Sequence, residues 1–369
     1  MIVYIILFSC VLLLVLIDRG RNKSKFFWIT GFLVFLTMAL RNKNVGTDTE
    51  AYVDCWNNSN FYYGNAPTDV GFEAILRILR LFGTSNEYFI ICISVIMMIG
   101  ILYFIYKNSK YRVDSLLFFC IAGTVFVFFL LYLNAMRQCV AMTFFLIGIT
   151  LYFNQGMIKK NKYIALGFIL CTISIHGSSA IVLPVILALP YIKLNKKTAI
   201  LLITVTYIIG ALGIFQLSSF LSMLSLGNSS FEKYENYTQE MTFGMNEGTV
   251  IIKMYLLPFN LTMLYLVCYI KNEQMNEWTF KWLFIGTIMS NLMIDNLMWG
   301  RLLLYFIIMS IIVFPNLLRT VSFKYKNYVY LLVIIFFLRK VIVVLINSPL
   351  HAVLYNINTE VPYESWLSW

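Results

Sequence analysis

Apolar residues along this chain gather into long runs, and the charged residues fall almost entirely in the gaps between them. Runs of about 15 to 21 apolar residues, wound as α-helix, match the hydrocarbon thickness of a bilayer. They predict helices near 2–17, 26–40, 86–106, 115–133, 136–154, 162–176, 180–192, 198–220, 250–270, 280–298, 302–315 and 328–346. The segment 180–192 is short and contains Pro184 and Pro190, which fits a half-helix or re-entrant hairpin. The long gaps are 41–85 and 222–249, with a further stretch at 347–369. Within the first, Asp69 to Phe82 carries apolar residues at 72, 75, 76, 79 and 82, a helical spacing that predicts an amphipathic helix lying flat in the membrane interface. The expected fold class is all-α: a polytopic membrane protein with one integral membrane domain over 1–369, about 11–12 transmembrane helices, outer loops and one interfacial helix.

Basic residues orient this bundle. Taking alternate gaps, one side collects Arg19 to Lys25, Lys107 to Arg112, and the basic residues of 159–162, 193–197, 271–281 and 319–326, which is 18 of the 28 in the chain. Only Asp18, Asp114, Glu273 and Glu277 lie beside them, so this side has a net charge of +14 and the other of −3. Loops rich in Lys and Arg stay in the cytoplasm. The segments 41–85, 222–249 and 347–369 are therefore expected outside, with both termini. Topology accounts for the overall +11, and no nucleic-acid partner is needed.

Composition narrows the class further. Sixty per cent of the residues are apolar, 12% are charged and the mean hydropathy is +0.79, which excludes a large soluble domain. Of the seven cysteines only Cys55 lies in a loop, so neither a disulfide framework nor a metal cage is indicated. The first run has no basic residue before it and Arg19 to Lys25 behind it, the reverse of a cleavable signal peptide, and reads as a retained helix.

Against this background a few polar residues stand out. Arg137 sits in an apolar run of about forty residues, where a guanidinium costs about 3 kcal/mol on insertion scales and is kept for an anion or a polar cavity. Asn134 and Gln138 flank it, and Ala141 one turn on leaves room beside the stripe. Arg41 to Thr49 follows the second predicted helix: Gly46 permits a tight turn, Asp48 is presented as an acceptor or base, and Arg41 caps the membrane edge. In the interfacial helix Glu73 is a candidate, although Arg77 four residues on could simply pair with it. His176, followed by Gly177 and Ser178, ends the sixth predicted helix, where its near-neutral pKa suits a general base or hydrogen-bond donor. Asn291 and Asp295, then Arg301 and Tyr305, stand at i,i+4, and Asp295 with Arg301 could instead form a bridge tying two helices. The loop Phe231 to Tyr237 offers aromatic and acidic groups of the kind that meet sugars. All of these map to the outer half of the bundle.

Neither a Walker loop, a dinucleotide turn, a DxD pair nor a GxSxG elbow occurs. An outward cavity rich in arginine suits an anionic lipid head group, because guanidinium forks bind phosphate oxygens bidentately. If that head group is a pyrophosphate carrying a glycan, arginines can stabilise the charge that grows as the sugar–phosphate bond breaks. A carboxylate or histidine would take the proton of the attacking hydroxyl.

At these residues the chain resembles a known family. Arg41, Gly46-Thr47-Asp48 and Tyr52, then Gly71-Phe72-Glu73, Met136-Arg137-Gln138 with Ala141, His176-Gly177-Ser178, and Arg301 with Tyr305 are similar, in order, to the EpsG-type family of Wzy-like bacterial polysaccharide polymerases. The resemblance runs from about residue 35 to 305. It implies a GT-C-like bundle in the bacterial cytoplasmic membrane with its site on the outer face. It also implies a metal-independent glycosyltransferase with no cofactor. Such enzymes move a growing glycan from undecaprenyl pyrophosphate onto the non-reducing end of another lipid-linked repeat unit, and a chain-length regulator is a possible partner. Under that reading Arg137 and Arg301 take the donor pyrophosphate, Arg41 a second head group, and Asp48 or His176 the acceptor proton. Glu73, Asn134, Gln138, Ser178, Asp295 and Tyr305 are expected to bind substrate. An O-antigen ligase would carry a larger late outer loop than 222–249, and a flippase would show internal repeats and a polar path reaching both faces.

Overall fold

The computed structural model describes residues 2–18, 20–46, 48–58, 60–63, 66–124, 127–154, 159–212, 245–293 and 297–346. The loop 231–237 and the segment 347–369 lie outside them. Helices α1 (Ile2–Asp18) and α2 (Ser24–Ala39) form a hairpin. Its turn is fixed by the Asp18 carboxylate, which accepts hydrogen bonds from the Asn22 and Lys23 amides at 2.9 and 2.8 Å. The gap 41–85 contains α3 (Thr49–Asn57), a two-residue ladder of β1 (Tyr62–Tyr63) and β2 (Ala66–Pro67), and α4 (Val70–Arg80). Next come α5 (Asn86–Asn108), capped by the Ser85 hydroxyl, α6 (Arg112–Ile121), α7 (Phe128–Asn134), α8 (Met136–Phe153) and α9 (Lys159–Ile175). A 3-10 turn (Gly177–Ile181) leads into α10 (Val182–Ala188), and α11 (Lys196–Ala211) follows. The remainder is α12 (Met245–Tyr269), α13 (Asn272–Met275), α14 (Trp278–Leu292), α15 (Leu297–Ile307), α16 (Ser310–Thr320) and α17 (Lys326–Ile346).

Asn86–Asn108, Met136–Phe153 and Leu302–Thr320 are long and apolar enough to cross a membrane, and several shorter apolar helices pack around them. This is a polytopic all-α membrane protein. Several of its buried amides bond one another within the bundle, as a medium without water favours. Asn260 of α12 and Asn291 of α14 exchange two 2.8 Å hydrogen bonds, and Asn291 also donates to Thr206 of α11 at 3.1 Å.

The loops that the charge pattern groups together meet at one end. Asn22 bonds the Arg112 amide, Asn316 bonds the Lys110 amide, and Asn276 bonds Leu194 through both its amide atoms. Arg319 grips the buried Asp114 at 2.6 Å and stacks on Tyr330, whose hydroxyl donates to the same carboxylate.

Two expectations are corrected. The run 115–133 is two helices, because the chain breaks after Ile121 and Gly123 adopts φ +145°, a conformation L side chains rarely take. The carbonyls freed there find donors: Phe128 N bonds Ala122 O at 3.1 Å, and Lys340 Nζ of α17, only 3% exposed, reaches Gly123 O at 3.3 Å and Thr124 O at 2.5 Å. The run 302–315 falls within the span Leu302–Thr320, in which α15 and α16 follow one another through a turn at 308–309. In α4, Phe72 and Leu76 are buried, but Phe82 lies past the helix end and is exposed, as are Val70, Ile78 and Leu81. The half-helix expected at 180–192 is present as the 3-10 turn, α10 and a second 3-10 turn, Leu189–Tyr191.

Candidate functional site

At the end opposite the basic loops, four chain segments converge on the gap between α7 and α8. Ala135, at φ −84° and ψ 64°, interrupts the helix there and lets Arg137 start a new one. Asn134 and Gln138 beside it are buried.

The turn after α2 docks onto this gap. Gly46 has φ +99°, and a Cβ built on it would stand 2.3 Å from the Leu133 carbonyl oxygen, so only glycine fits. The Thr49 hydroxyl shares its proton between the carbonyls of Val45 and Leu133, at 2.7 and 3.0 Å. The Asp48 amide donates to Asn134 Oδ1 at 2.7 Å, which leaves the half-buried Asp48 side chain beside the break. Asn134 thus serves to seat Asp48.

The start of α4 supplies the partner of Arg137. Asp69 stands at the N-cap but does not cap its own helix. Its Oδ2 instead meets Arg137 Nη1 at 3.1 Å, with the two side chains 34% and 26% exposed. The pair is partly open and not sealed in a dry core. Gly71 allows this approach: a Cβ there would lie 2.7 Å from the Ser174 carbonyl carbon and 2.8 Å from the Ile175 amide, at the end of α9. The next residue, His176, turns to extended backbone and begins the 3-10 turn, and a Cβ built on Gly177 would stand 3.9 Å from Asp69 Oδ1. His176 and Ser178 are half-buried, and Ser179 is fully buried.

Tyr305 of α15 closes the inner wall, edge-on to Phe145 of α8 at 5.4 Å. Its hydroxyl faces the Ser179 side chain within the field of Arg137 and Asp69. Among the described residues neither hydroxyl finds a hydrogen-bond partner, nor does that of Tyr132. Buried polar groups are nearly always satisfied, so orphaned hydroxyls beside a partly open ion pair are a feature to explain.

Two expected residues have protein partners of their own. Arg41 is fully buried, donating to Met38 O at 2.6 Å and Ser94 Oγ at 3.4 Å. Glu73 pairs with Arg77 at 2.6 Å, the alternative its i,i+4 spacing allowed. Arg77 and Arg80 in turn stack on Phe61, which pins α4 to the segment before it. Asp295 lies outside the described residues, and of Arg301 only its place in α15 is described. Asp69 and Ser179 were not singled out. The available signal for Asp69 was an acid at the N-cap of a helix, which ordinarily reads as a cap.

Burial pushes the Cys55 thiol in α3 up to about 11, against the opposing pull of Arg137 and Arg80. Among the described residues no group of three or more His, Cys, Asp or Glu is placed to hold a metal ion.

No curated protein and no solved structure matches this chain. The EpsG family matches residues 24–365. That span holds every segment of the site and nearly all of the bundle around it, and the chain belongs to the EpsG family.

Proposed function

We propose that this site polymerises polysaccharide by transferring a growing glycan from undecaprenyl pyrophosphate to the non-reducing end of a second lipid-linked repeat unit. Membership of the EpsG family supports a polysaccharide polymerase-like role. The observation that carries the finer reading is the Arg137–Asp69 pair, at 3.1 Å and partly exposed, in a helix break where the turn at 46–49 and the segments at 69–71, 176–179 and 305 converge.

A guanidinium whose ion pair with a carboxylate is partly open is a site for which a phosphate can compete, because phosphate offers it more acceptor oxygens and more charge. In this reading the donor pyrophosphate displaces Asp69 from Arg137, and Arg301 joins from α15. The bond between the sugar anomeric carbon and the phosphate oxygen breaks, the electron pair leaves with the pyrophosphate, and the cationic side chains stabilise that charge. The acceptor hydroxyl forms the new glycosidic bond and gives its proton to Asp48 or His176. Ser178, Tyr305 and Gln138 orient the sugars. Asn134 acts through Asp48, and Arg41, being buried, holds the end of α2 against α5 and does not meet lipid. The outer face of the cytoplasmic membrane is where such a lipid-linked donor supplies the energy that no nucleotide provides there.

A flippase requires a polar path between the two ends. The described core between them is packed with Phe145, Trp282 and Phe306, which favours a transferase. Substituting Arg137 by Ala should leave the protein inserted at normal abundance and abolish long glycan chains on a gel. Chains of ordinary length from that variant would remove Arg137 from the mechanism.

A further inference from the structure

A cavity of about 670 Å³ opens at the other end of the bundle, among the ends of α5, α8, α13, α14 and α16. That volume is in the range of small-molecule sites. Four charged side chains line it, Lys107 and Lys281 with Glu273 and Glu277, and among the described residues none of them is in an ion pair. Charges of both signs on one cavity wall, not paired with each other, can be met together by a dipolar guest.

Lys281 sharpens this. It is 8% exposed, and its ammonium makes one long hydrogen bond, 3.5 Å to the Leu189 carbonyl. An ammonium has three donors. Among the described residues the other two find no acceptor, which is unusual for a cation only 8% exposed. The start of α14 lines the same space through Glu277, Trp278 and Thr279, and the Glu277 side chain does not cap the helix. A fifteen-residue helix therefore turns its uncapped amides, and the positive end of its dipole, toward the cavity. Trp278 stacks on Phe153 at 5.3 Å, and Leu189 and Pro190 give an apolar edge of the kind found at membrane interfaces.

We propose that this cavity binds a zwitterionic phosphoethanolamine group, with its phosphate at Lys281 and the α14 N-terminus and its ammonium between Glu273 and Glu277. A plain anion would meet the two carboxylates, and a plain cation the two lysines. A trimethylated ammonium has no N–H to give the carboxylates. The group arrives on an aminophospholipid of that leaflet or on a soluble phosphodiester of the same chemistry. The proposal is independent of the glycan reading.

The test uses the full chain in nanodiscs of equal phosphatidylethanolamine, phosphatidylcholine and phosphatidylglycerol, with the retained lipids read by native mass spectrometry. Wild type should retain phosphatidylethanolamine about tenfold over either competitor, a difference of about 1.4 kcal/mol. Lys281→Met should lose that retention and Lys281→Arg keep it, while Glu273→Gln with Glu277→Gln should bring phosphatidylethanolamine down to the phosphatidylglycerol level. Lys281→Met removes a buried and poorly bonded charge, so its abundance should hold. Displacement by micromolar glycerophosphoethanolamine would assign the site to the soluble compound, and resistance at millimolar levels to the lipid. Retention in proportion to bilayer composition, or a Lys281→Met variant indistinguishable from wild type, would overturn the proposal.

Discussion

Gly71→Ala separates what local propensity expects from what the packing requires. Near the start of α4 the change should help the helix, since Gly is about 0.5–1 kcal/mol worse than Ala in a helix interior. The surroundings reverse that sign. The added methyl would lie 2.4 Å from Ser174 Oγ, 2.7 Å from the Ser174 carbonyl carbon and 2.8 Å from the Ile175 amide, where ordinary contacts between such atoms are about 3.5–4.0 Å. The hydroxyl can rotate away but the backbone cannot, so α4 must retreat from α9 by roughly 1 Å, at an overpacking cost of about 1–3 kcal/mol. Asp69 is two residues from the clash, and its 3.1 Å contact with Arg137 would stretch toward 4 Å. The Ile175 amide that the methyl presses on directly precedes His176, a candidate proton acceptor, and misplacing such a reacting group by about 1 Å costs on the order of 10²-fold in rate. The assay is the glycan ladder made in membranes from cells expressing equal amounts of variant and wild type, with the rate taken from early time points. Removing the hydroxyl as well, in Gly71→Ala with Ser174→Ala, should not restore activity, because the backbone contacts remain. Wild-type rates from Gly71→Ala would show that the seating of α4 on α9 does not govern the site.

Other consequences are more local. Lys340→Met should strand the carbonyls of Gly123 and Thr124, at about 1–3 kcal/mol each, and speed amide hydrogen exchange over 122–135, while Lys340→Arg retains protection. Unchanged exchange in the methionine variant would mean that the helix break does not need its cation. Cys55, fully buried with its thiol pushed up to about 11, is neutral at pH 7.5 and should resist maleimide until the region around α3 unfolds. Rapid labelling of the native protein at Cys55, read by peptide mass spectrometry, would refute that burial.

How far the sequence foretold this arrangement depends on which force decided each part. Spans such as α5 and α8 were legible because hydrocarbon thickness leaves its mark on run length, and the grouping of the basic loops was legible because charge is excluded from that layer. The interruption at Ala135 fell where the predicted helices parted. The earlier break at 122–127 did not, since Leu116 to Leu133 reads as one apolar run and Gly123 alone betrays it. What completes that break is Lys340, more than two hundred residues away, a contact that no local pattern encodes. Arg41 and Arg137 look alike in the sequence, each a lone guanidinium at a helix end. Ser94 and the Met38 carbonyl draw the first inward, while Asp69 meets the second in the open. Asp69 itself was hidden by its suitability as a cap.

The most direct test is the affinity of the purified protein for undecaprenyl pyrophosphate without glycan, measured in detergent for wild type, Arg137→Ala and Asp69→Asn. Loss of charge-assisted hydrogen bonds worth about 1.5–3 kcal/mol should weaken Arg137→Ala by roughly 10- to 100-fold. Asp69→Asn, which removes the resident carboxylate, should bind as tightly as wild type or tighter. Equal affinity of wild type and Arg137→Ala would mean that this guanidinium does not receive the lipid diphosphate.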